Sequence, residues 1–260
     1  VPCYTAFRFQ TPEYKVTRHG CIPILDPLND AQREAVTAPD SHVLVLAGAG
    51  SGKTRVLVHR IAWLIQVEQV PASSILAVTF TNKAAREMRG RIEQMLNIST
   101  RGMWVGTFHG LAHRLLRAHY TDAGLPENFQ VLDADDQLRL IKRVMRELQV
   151  DESRWPPKQV QWFINSSKDE GLRPDYIEDH GDVFTTTMIN LYREYQKQCK
   201  RSGLVDFGEL LLRSHELWLE NPSCAATTRA VFAICWWTSS RTPTPCSTPG
   251  CGCSAVTGCR

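Results

Sequence analysis

Val43-Leu-Val-Leu-Ala47-Gly48-Ala49-Gly50-Ser51-Gly52-Lys53-Thr54 is an apolar run that breaks into a glycine-rich turn and closes on Lys-Thr. The run predicts a strand and the turn a phosphate-cradling loop. The following Arg55-Val-Leu-Val-His-Arg-Ile-Ala-Trp-Leu-Ile65 predicts a helix, because Val56, Ile61, Leu64 and Ile65 recur at roughly helical spacing. Gly48, Gly50 and Gly52 let the backbone turn with its N–H groups pointing inward, and those donors join the helix N-terminus to make a site for phosphate oxygens. Lys53 is placed to reach the β- and γ-phosphates as a point charge, and the Thr54 hydroxyl to hold a magnesium ion. Lys53 and Thr54 are therefore the catalytic candidates, Thr54 is the candidate metal ligand, and the whole segment from Ala47 through Ser51 to Arg55 is the candidate cofactor loop. The strict pattern carries glycine where this chain has Ala47. A turn that merely reverses the chain is the bland alternative, and the flanking strand, the helix and the Lys-Thr pair all argue against it.

Outward from the loop, strands and helices alternate. Upstream, Leu28-Asn-Asp30-Ala-Gln32-Arg-Glu-Ala-Val36 has the capping residues and apolar spacing of a short helix. Downstream, Ile75-Leu-Ala-Val-Thr79-Phe80 predicts a second strand, followed by Thr81-Asn82-Lys83 and a helix to about Leu96. Met103-Trp-Val105 predicts a third strand, then come Gly106-Thr107-Phe108-His109-Gly110 and a helix from Leu111 to about His119. Alternation of this kind predicts an α/β fold with a parallel sheet, crossover helices and ligands at the carboxyl ends of the strands. Between about 120 and 220 the strand signal disappears. Asp133 caps one predicted helix, Pro156-Pro157 starts a second, a third runs from about Phe184 to Lys200, and Asp206 with Glu209 resembles a capping box opening Phe207 to Leu219. This stretch is expected to be an all-helical insertion. Trp155, Trp162, Phe163 and Trp218 read as its packing residues, and Lys142, Arg143 and Arg173 as solvated surface.

The bulk numbers bound what these elements can be part of. A chain of 260 residues with 43% hydrophobic content is ample for one large or two modest domains. The net charge of +3 permits nucleic-acid binding without requiring it, since a local basic groove can sit on a near-neutral protein. No apolar run reaches the length of a membrane span, and the first residues lack the apolar core of a signal peptide, so no membrane partner and a cytoplasmic location are expected. Residues 1–27 show no sustained period and read as an extension ahead of the domain.

A phosphate loop alone leaves kinases, GTPases and many ATPases open. Its neighbours narrow the choice. Leu28-Asn-Asp-Ala-Gln32-Arg-Glu-Ala-Val, Ala47-Gly-Ala-Gly-Ser-Gly-Lys-Thr-Arg55, Ala77-Val-Thr-Phe80-Thr-Asn-Lys-Ala-Ala85, Val105-Gly-Thr-Phe-His109-Gly and Leu204-Val-Asp-Phe207 occur in the order found in UvrD-like helicases of superfamily one, which this chain closely resembles over about three quarters of its length. Ala47 matches a variation that family shares. The resemblance implies a RecA-like ATP-binding domain, subdomain 1A, beginning in residues 28–110, and a helical subdomain, 1B, in 111–220. It implies ATP and Mg²⁺ as cofactors, with Gln32 recognising the adenine edge, a task suited to an amide that both donates and accepts. Thr79, Phe80, Asn82 and Lys83 match the motif that holds single-stranded DNA, and Thr107, Phe108 and His109 a second DNA-contacting motif. An aromatic ring stacks on any base while hydroxyl, amide and amine groups hold the backbone. Single-stranded DNA and duplex junctions are the implied partners, the implied activity is ATP-driven 3′ to 5′ movement, and repair-protein partners are compatible with it.

The family's next motif, a strand ending in Asp-Glu-Phe-Gln-Asp, is absent. Its first Asp positions magnesium and its Glu activates the attacking water. At that distance this chain has Trp236-Trp237-Thr238-Ser239-Ser240-Arg241-Thr242. Tryptophan is TGG and threonine ACN, so moving back by one nucleotide reads NTG-GTG-GAC, which allows Leu and forces Val and Asp. The degenerate codons from Ser239 to Pro243 then permit Glu-Phe-Gln-Asp-Thr. The same shift turns leucine codons into cysteines, and six of the nine cysteines fall after Asn221, where Asp, Glu, Lys and His are all missing. A frameshift near Asn221 to Cys224 is the resulting expectation, leaving 221–260 as an unstructured tail. A zinc site from Cys246, Cys251, Cys253 and Cys259 is the competing account, with no His nearby. The chain is thus expected to represent the N-terminal half of a helicase, without a second RecA-like domain and its arginine finger. It should hydrolyse ATP poorly and unwind nothing. A non-catalytic ATP- and DNA-binding fragment and, more distantly, a P-loop small-molecule kinase remain as alternatives.

Overall fold

The computed structural model describes residues 24–39, 43, 45, 47, 48, 50–179, 181–231 and 234–237, of which 227, 229–231 and 234–237 are described in backbone only. The chain forms two compact units, 1–111 with 226–260, and 112–225.

The first unit packs helices against a small parallel sheet. Helix α1 (Asp30–Val36) starts on a complete capping box, in which the Asn29 side chain accepts from Gln32 N–H and the Gln32 side chain accepts from Asn29 N–H. Helix α2 (Lys53–Gln66) begins directly at the lysine of the glycine loop. Strand β1 (Ile75–Thr79) leads to α3 (Asn82–Leu96), and β2 (Trp104–Thr107) to α4 (Phe108–Ala118). The sheet order is β2, β1, then β5 (Ile234–Trp237), and both pairings are parallel. Its core joins Leu57, Val58, Ile61 and Leu64 of α2 to Ile75 and Ala77 of β1, Met88 and Ile92 of α3, and Val105 of β2. Full burial of a side chain of this kind contributes roughly 1.5–3 kcal/mol.

Several sequence expectations change here. The strand expected at 43–47 falls partly outside the described residues, since Leu44 and Leu46 lie outside them. Val43, Val45 and Ala47 carry no assigned strand, and Val45 packs against the α2 core. The helix after β2 begins at Phe108, so Phe108 and His109 stand on its first turn and not in a loop. The sequence predicts no element after Asn221, yet α9 (Pro222–Val231) and β5 occupy 222–237. The physical reason is local: Ala225, Ala226 and Ala230 favour helix, and Ile-Cys-Trp-Trp suits a pleated strand. Residues 238–260, including the zinc-site cysteines, lie outside the described residues.

The second unit packs α5 (Ala134–Glu147), α6 (Pro157–Asp169) and α7 (Val183–Ser202) around Ile141, Val144, Ile164, Leu191, Tyr192 and Tyr195, and α8 (Phe207–Glu220) lies against α6. It is not wholly helical, because β3 (Gln130–Val131) and β4 (Leu204–Val205) pair in parallel. Trp155 tilts against Phe184 with ring centroids 5.6 Å apart, whereas Trp162 is 69% exposed and is not a packing residue. Arg173 is not solvated surface either. It donates to Glu209 at 2.7 Å and forks onto Glu216.

Candidate functional site

The glycine loop takes the backbone conformations its sequence demands. Gly50 has φ +75° and Gly52 φ +88°, a region costly for side-chain-bearing residues, and Gly52 caps α2 without offering a side chain to its first-turn N–H groups. Ser51 closes the turn, its hydroxyl donating to Gly48 O at 2.7 Å. The Lys53 ammonium lies over the loop, donating to Ala47 O at 3.1 Å and Gly48 O at 2.9 Å. Thr54 is half-buried on the first turn of α2, Arg55 is exposed, and Ala49 lies outside the described residues. A glycine turn, a helix N-terminus and a lysine ammonium together make a donor set that fits a polyphosphate, and a hydroxyl one residue on suits its magnesium.

Gln32 meets this loop. It is buried, its Nε2 donates to Ser51 O at 3.1 Å, and a Cβ built on Gly52 would come within 3.0 Å of that nitrogen. The glycine at 52 therefore answers two demands, the positive φ and the close approach of the amide.

The second group of predicted residues stands at the carboxyl ends of β1 and β2. In the parallel register Thr79 is paired with Thr107, which sets Phe80 and Phe108 side by side. Both rings are exposed, 51% and 41%, and they meet edge to face with centroids 6.3 Å apart. Asn82 and Lys83 are exposed on the first turn of α3, where Thr81 accepts from Ala84 N–H as the cap. Thr79 differs from the rest of this group, being 1% exposed with its hydroxyl donating to Thr81 O at 3.1 Å. Thr107 is half-buried, its hydroxyl accepting from Gly110 N–H at 3.2 Å, and His109 is half-buried too. What the strand ends present outward is two aromatic faces flanked by an amide and an amine.

Sequence patterns missed the polar groups inside α2. His59 and Arg60 are buried in the middle of its apolar run. His59 Nδ1 is 2.5 Å from Ile24 O, so the ring carries its proton there. Burial pushes its pKa down, the bond to Ile24 opposes this, and Arg55 adds to the lowering. The signal was present as a His-Arg pair between Val56-Leu-Val58 and Ile61-Ala-Trp-Leu64.

Against known proteins, the family described as "UvrD/REP helicase N-terminal domain" matches residues 28–235. The chain is 64% identical to DNA helicase II of Escherichia coli over 199 residues, covering 76% of this chain and 28% of that protein. It is 59% identical over 203 residues to DNA helicase II of Haemophilus influenzae, covering 76% and 28%. It is 42% identical over 207 residues to the ATP-dependent DNA helicase PcrA of Leuconostoc citreum, covering 79% and 28%. The chain thus spans little more than a quarter of the length of these curated relatives.

Proposed function

The chain belongs to the UvrD/REP helicase family, and from that premise we propose that it is the ATP- and single-stranded-DNA-binding part of an ATP-dependent 3′ to 5′ DNA helicase. The observation that carries the proposal is the register of β1 with β2, which aligns Thr79-Phe80 with Thr107-Phe108 at the carboxyl end of the sheet. In this reading the run 43–47 completes a RecA-like sheet, subdomain 1A begins in 28–110 and 111–220 is subdomain 1B. Gln32 reads adenine, and the loop from Ala47 to Arg55, with Lys53 and Thr54, holds the triphosphate and Mg²⁺. When bound, Mg²⁺ neutralises charge that develops on the phosphates. Phe80, Phe108, Asn82 and Lys83 grip the strand, with Thr79 and Thr107 shaping the turns beneath them and His109 beside Phe108. Duplex junctions follow as the whole protein's substrate, repair proteins as its class of partner, and the cytoplasm as its location. Among the described residues no helix is long and apolar enough to cross a membrane.

Hydrolysis also needs carboxylates. Strand β5 supports the frameshift reading, because it pairs in parallel with β1 as far as Val78 with Trp237, beside the strand that carries Thr79. The aspartate codon available in the shifted frame takes its first nucleotide from the codon of Trp237 and its other two from that of Thr238. Residues from about 223 are accordingly proposed to derive from a shifted frame, and the chain as it stands binds ATP and DNA more than it turns them over. The non-catalytic reading is favoured for this chain by Trp236-Trp237-Thr238 standing where acidic residues are needed.

Equilibrium titration with labelled oligo-dT and with Mg-ATP tests the binding reading. Saturable binding of both, with DNA affinity lost in Phe80→Ala plus Phe108→Ala, is expected. Phosphoryl transfer to an added small acceptor without any DNA binding would instead establish a kinase. Resequencing around the codons for Asn221 to Cys224 tests the frame, and an uninterrupted frame with no recoverable Asp-Glu-Phe-Gln-Asp would sink that part.

A further inference from the structure

Helix α1 has only two turns, too few to hold itself in place, since isolated helices of this length do not persist in water. Yet it carries Gln32, whose amide must stand at a fixed distance from the phosphate loop to recognise a base. The structure shows what holds it. His59 and Arg60, consecutive residues of α2, bind the two ends of the segment that contains α1. His59 takes the carbonyl of Ile24 at the entry, at 2.5 Å, and Arg60 donates from one guanidinium nitrogen to the carbonyl of Val36 at the exit, at 2.8 Å. Val36 ends α1, so Arg60 satisfies a carbonyl of the last turn and places a positive charge where the helix dipole favours one.

Arg60 is itself fixed. Its side chain is 2% exposed, the same guanidinium nitrogen meets Glu68 Oε1 at 3.2 Å, and Trp63 Nε1 donates to that same oxygen at 2.9 Å. Around the clamp, Leu28, Ala35 and Val36 pack on Val56 and Trp63. At the middle of the segment the Gln32 amide closes onto Ser51 O. Two tethers from α2 and one to the glycine loop thus hold the segment that contains α1.

We propose that Arg60, supported by His59, is the positioning residue for nucleotide-base recognition: it makes the base-reading helix and the phosphate-binding helix one rigid body and so sets the preference for adenine. The inference rests on the reading of the glycine loop and Gln32 as an ATP site. A buried arginine whose only task was stability would affect every ligand alike. Arg60 acts through the Val36 carbonyl on α1, the helix that carries Gln32, so its loss weakens ATP and spares a ligand that has no base.

The test compares ATP, GTP and inorganic tripolyphosphate, each with Mg²⁺, by equilibrium titration of the 260-residue chain. For the wild type, ATP binds more tightly than tripolyphosphate. In Arg60→Met, ATP affinity falls about tenfold, the order expected for a lost charge-assisted hydrogen bond, while tripolyphosphate affinity stays within about twofold and the ATP/GTP ratio moves toward one. Arg60→Lys keeps the charge but not the fork and restores part of the ATP affinity. It also carries the test if Arg60→Met does not fold. Parallel loss of ATP and tripolyphosphate in either folded variant, or unchanged ATP affinity and ATP/GTP ratio, overturns the inference. A wild type that binds ATP no better than tripolyphosphate overturns the base-reading role of Gln32 first, and the inference with it.

Discussion

Both units bury charge, Arg60 against Glu68 in the first and a larger network in the second, but the first also leaves its candidate ligand groups open. In the first, Lys53, Arg55, Asn82, Lys83, Phe80 and Phe108 stand partly or fully open to solvent around the helix starts and strand ends. In the second, the strongest charges are spent on one another. Lys168 is buried and meets Asp206 at 2.6 Å and Glu209 at 3.0 Å. Glu209 also takes Arg173 and Arg213, both at 2.7 Å, and the Tyr195 hydroxyl donates to Asp206 at 2.8 Å. Charges intended for a ligand must be reachable, whereas charges that fix a fold must be fully paired once buried. On the proposed function the ligand-facing groups lie in the first unit, while the buried charges of the second fix its own fold.

Breaking the buried pairing gives the largest expected effect. Lys168→Met leaves Asp206 and Glu209 without their ammonium and should cost about 3–5 kcal/mol, the range for removing one partner of a buried pair, measured by urea unfolding. The acid and alkaline limits follow from the same groups. Burial alone would raise the Glu209 carboxyl, but Lys168 and Arg173 outweigh it and hold it well below its ordinary value of 4.5. Its contribution is therefore complete above that value and lost as pH falls through the folded pKa. Burial would lower Lys168, yet Glu209 and Asp206 hold it above its ordinary 10.5, so its contribution is complete below 10.5 and lost as pH rises through the folded pKa. Thermal melts should show a plateau between these limits that Lys168→Met lowers.

The exposed side of the comparison is tested by Phe80→Ala. Removing a stacking ring should cost about 1–3 kcal/mol of single-stranded DNA affinity, read by fluorescence anisotropy with oligo-dT. Stability should stay within about 0.5 kcal/mol because the ring is half in solvent. A stability loss without an affinity loss would make the Phe80 and Phe108 pair a packing feature and erase the contrast. The smallest effect is expected for Asn29→Ala, which removes the side-chain half of the α1 capping box and should cost about 1 kcal/mol, seen as a slightly lower melting temperature.

Much of the first unit was legible because its motifs are local. The Gly50 and Gly52 turn, the capping residues of α1 and the β1 and β2 runs each declare themselves within a few residues. The burial of Thr79 was not legible, because which residues of a strand end are covered depends on the elements packed beside it. The second unit shows the same limit more sharply. Asp206 does cap α8, accepting from Glu209 N–H at 2.8 Å, but the Glu209 side chain leaves the capping box for Lys168, 41 positions upstream. Arg173 and Trp162 were misjudged for the same reason, since burial of a polar or aromatic residue is decided by partners far away in sequence. The tail was missed in part because the local propensities of its first residues suffice for an element whether or not the segment was selected for one.

Titration of the chain with Mg-ATP, wild type against Lys53→Ala, tests the central claim most directly. The account predicts one saturable site for the wild type and a loss of up to about 100-fold in affinity for the variant, at unchanged stability. Equal binding by both proteins, or no binding by the wild type, would contradict it.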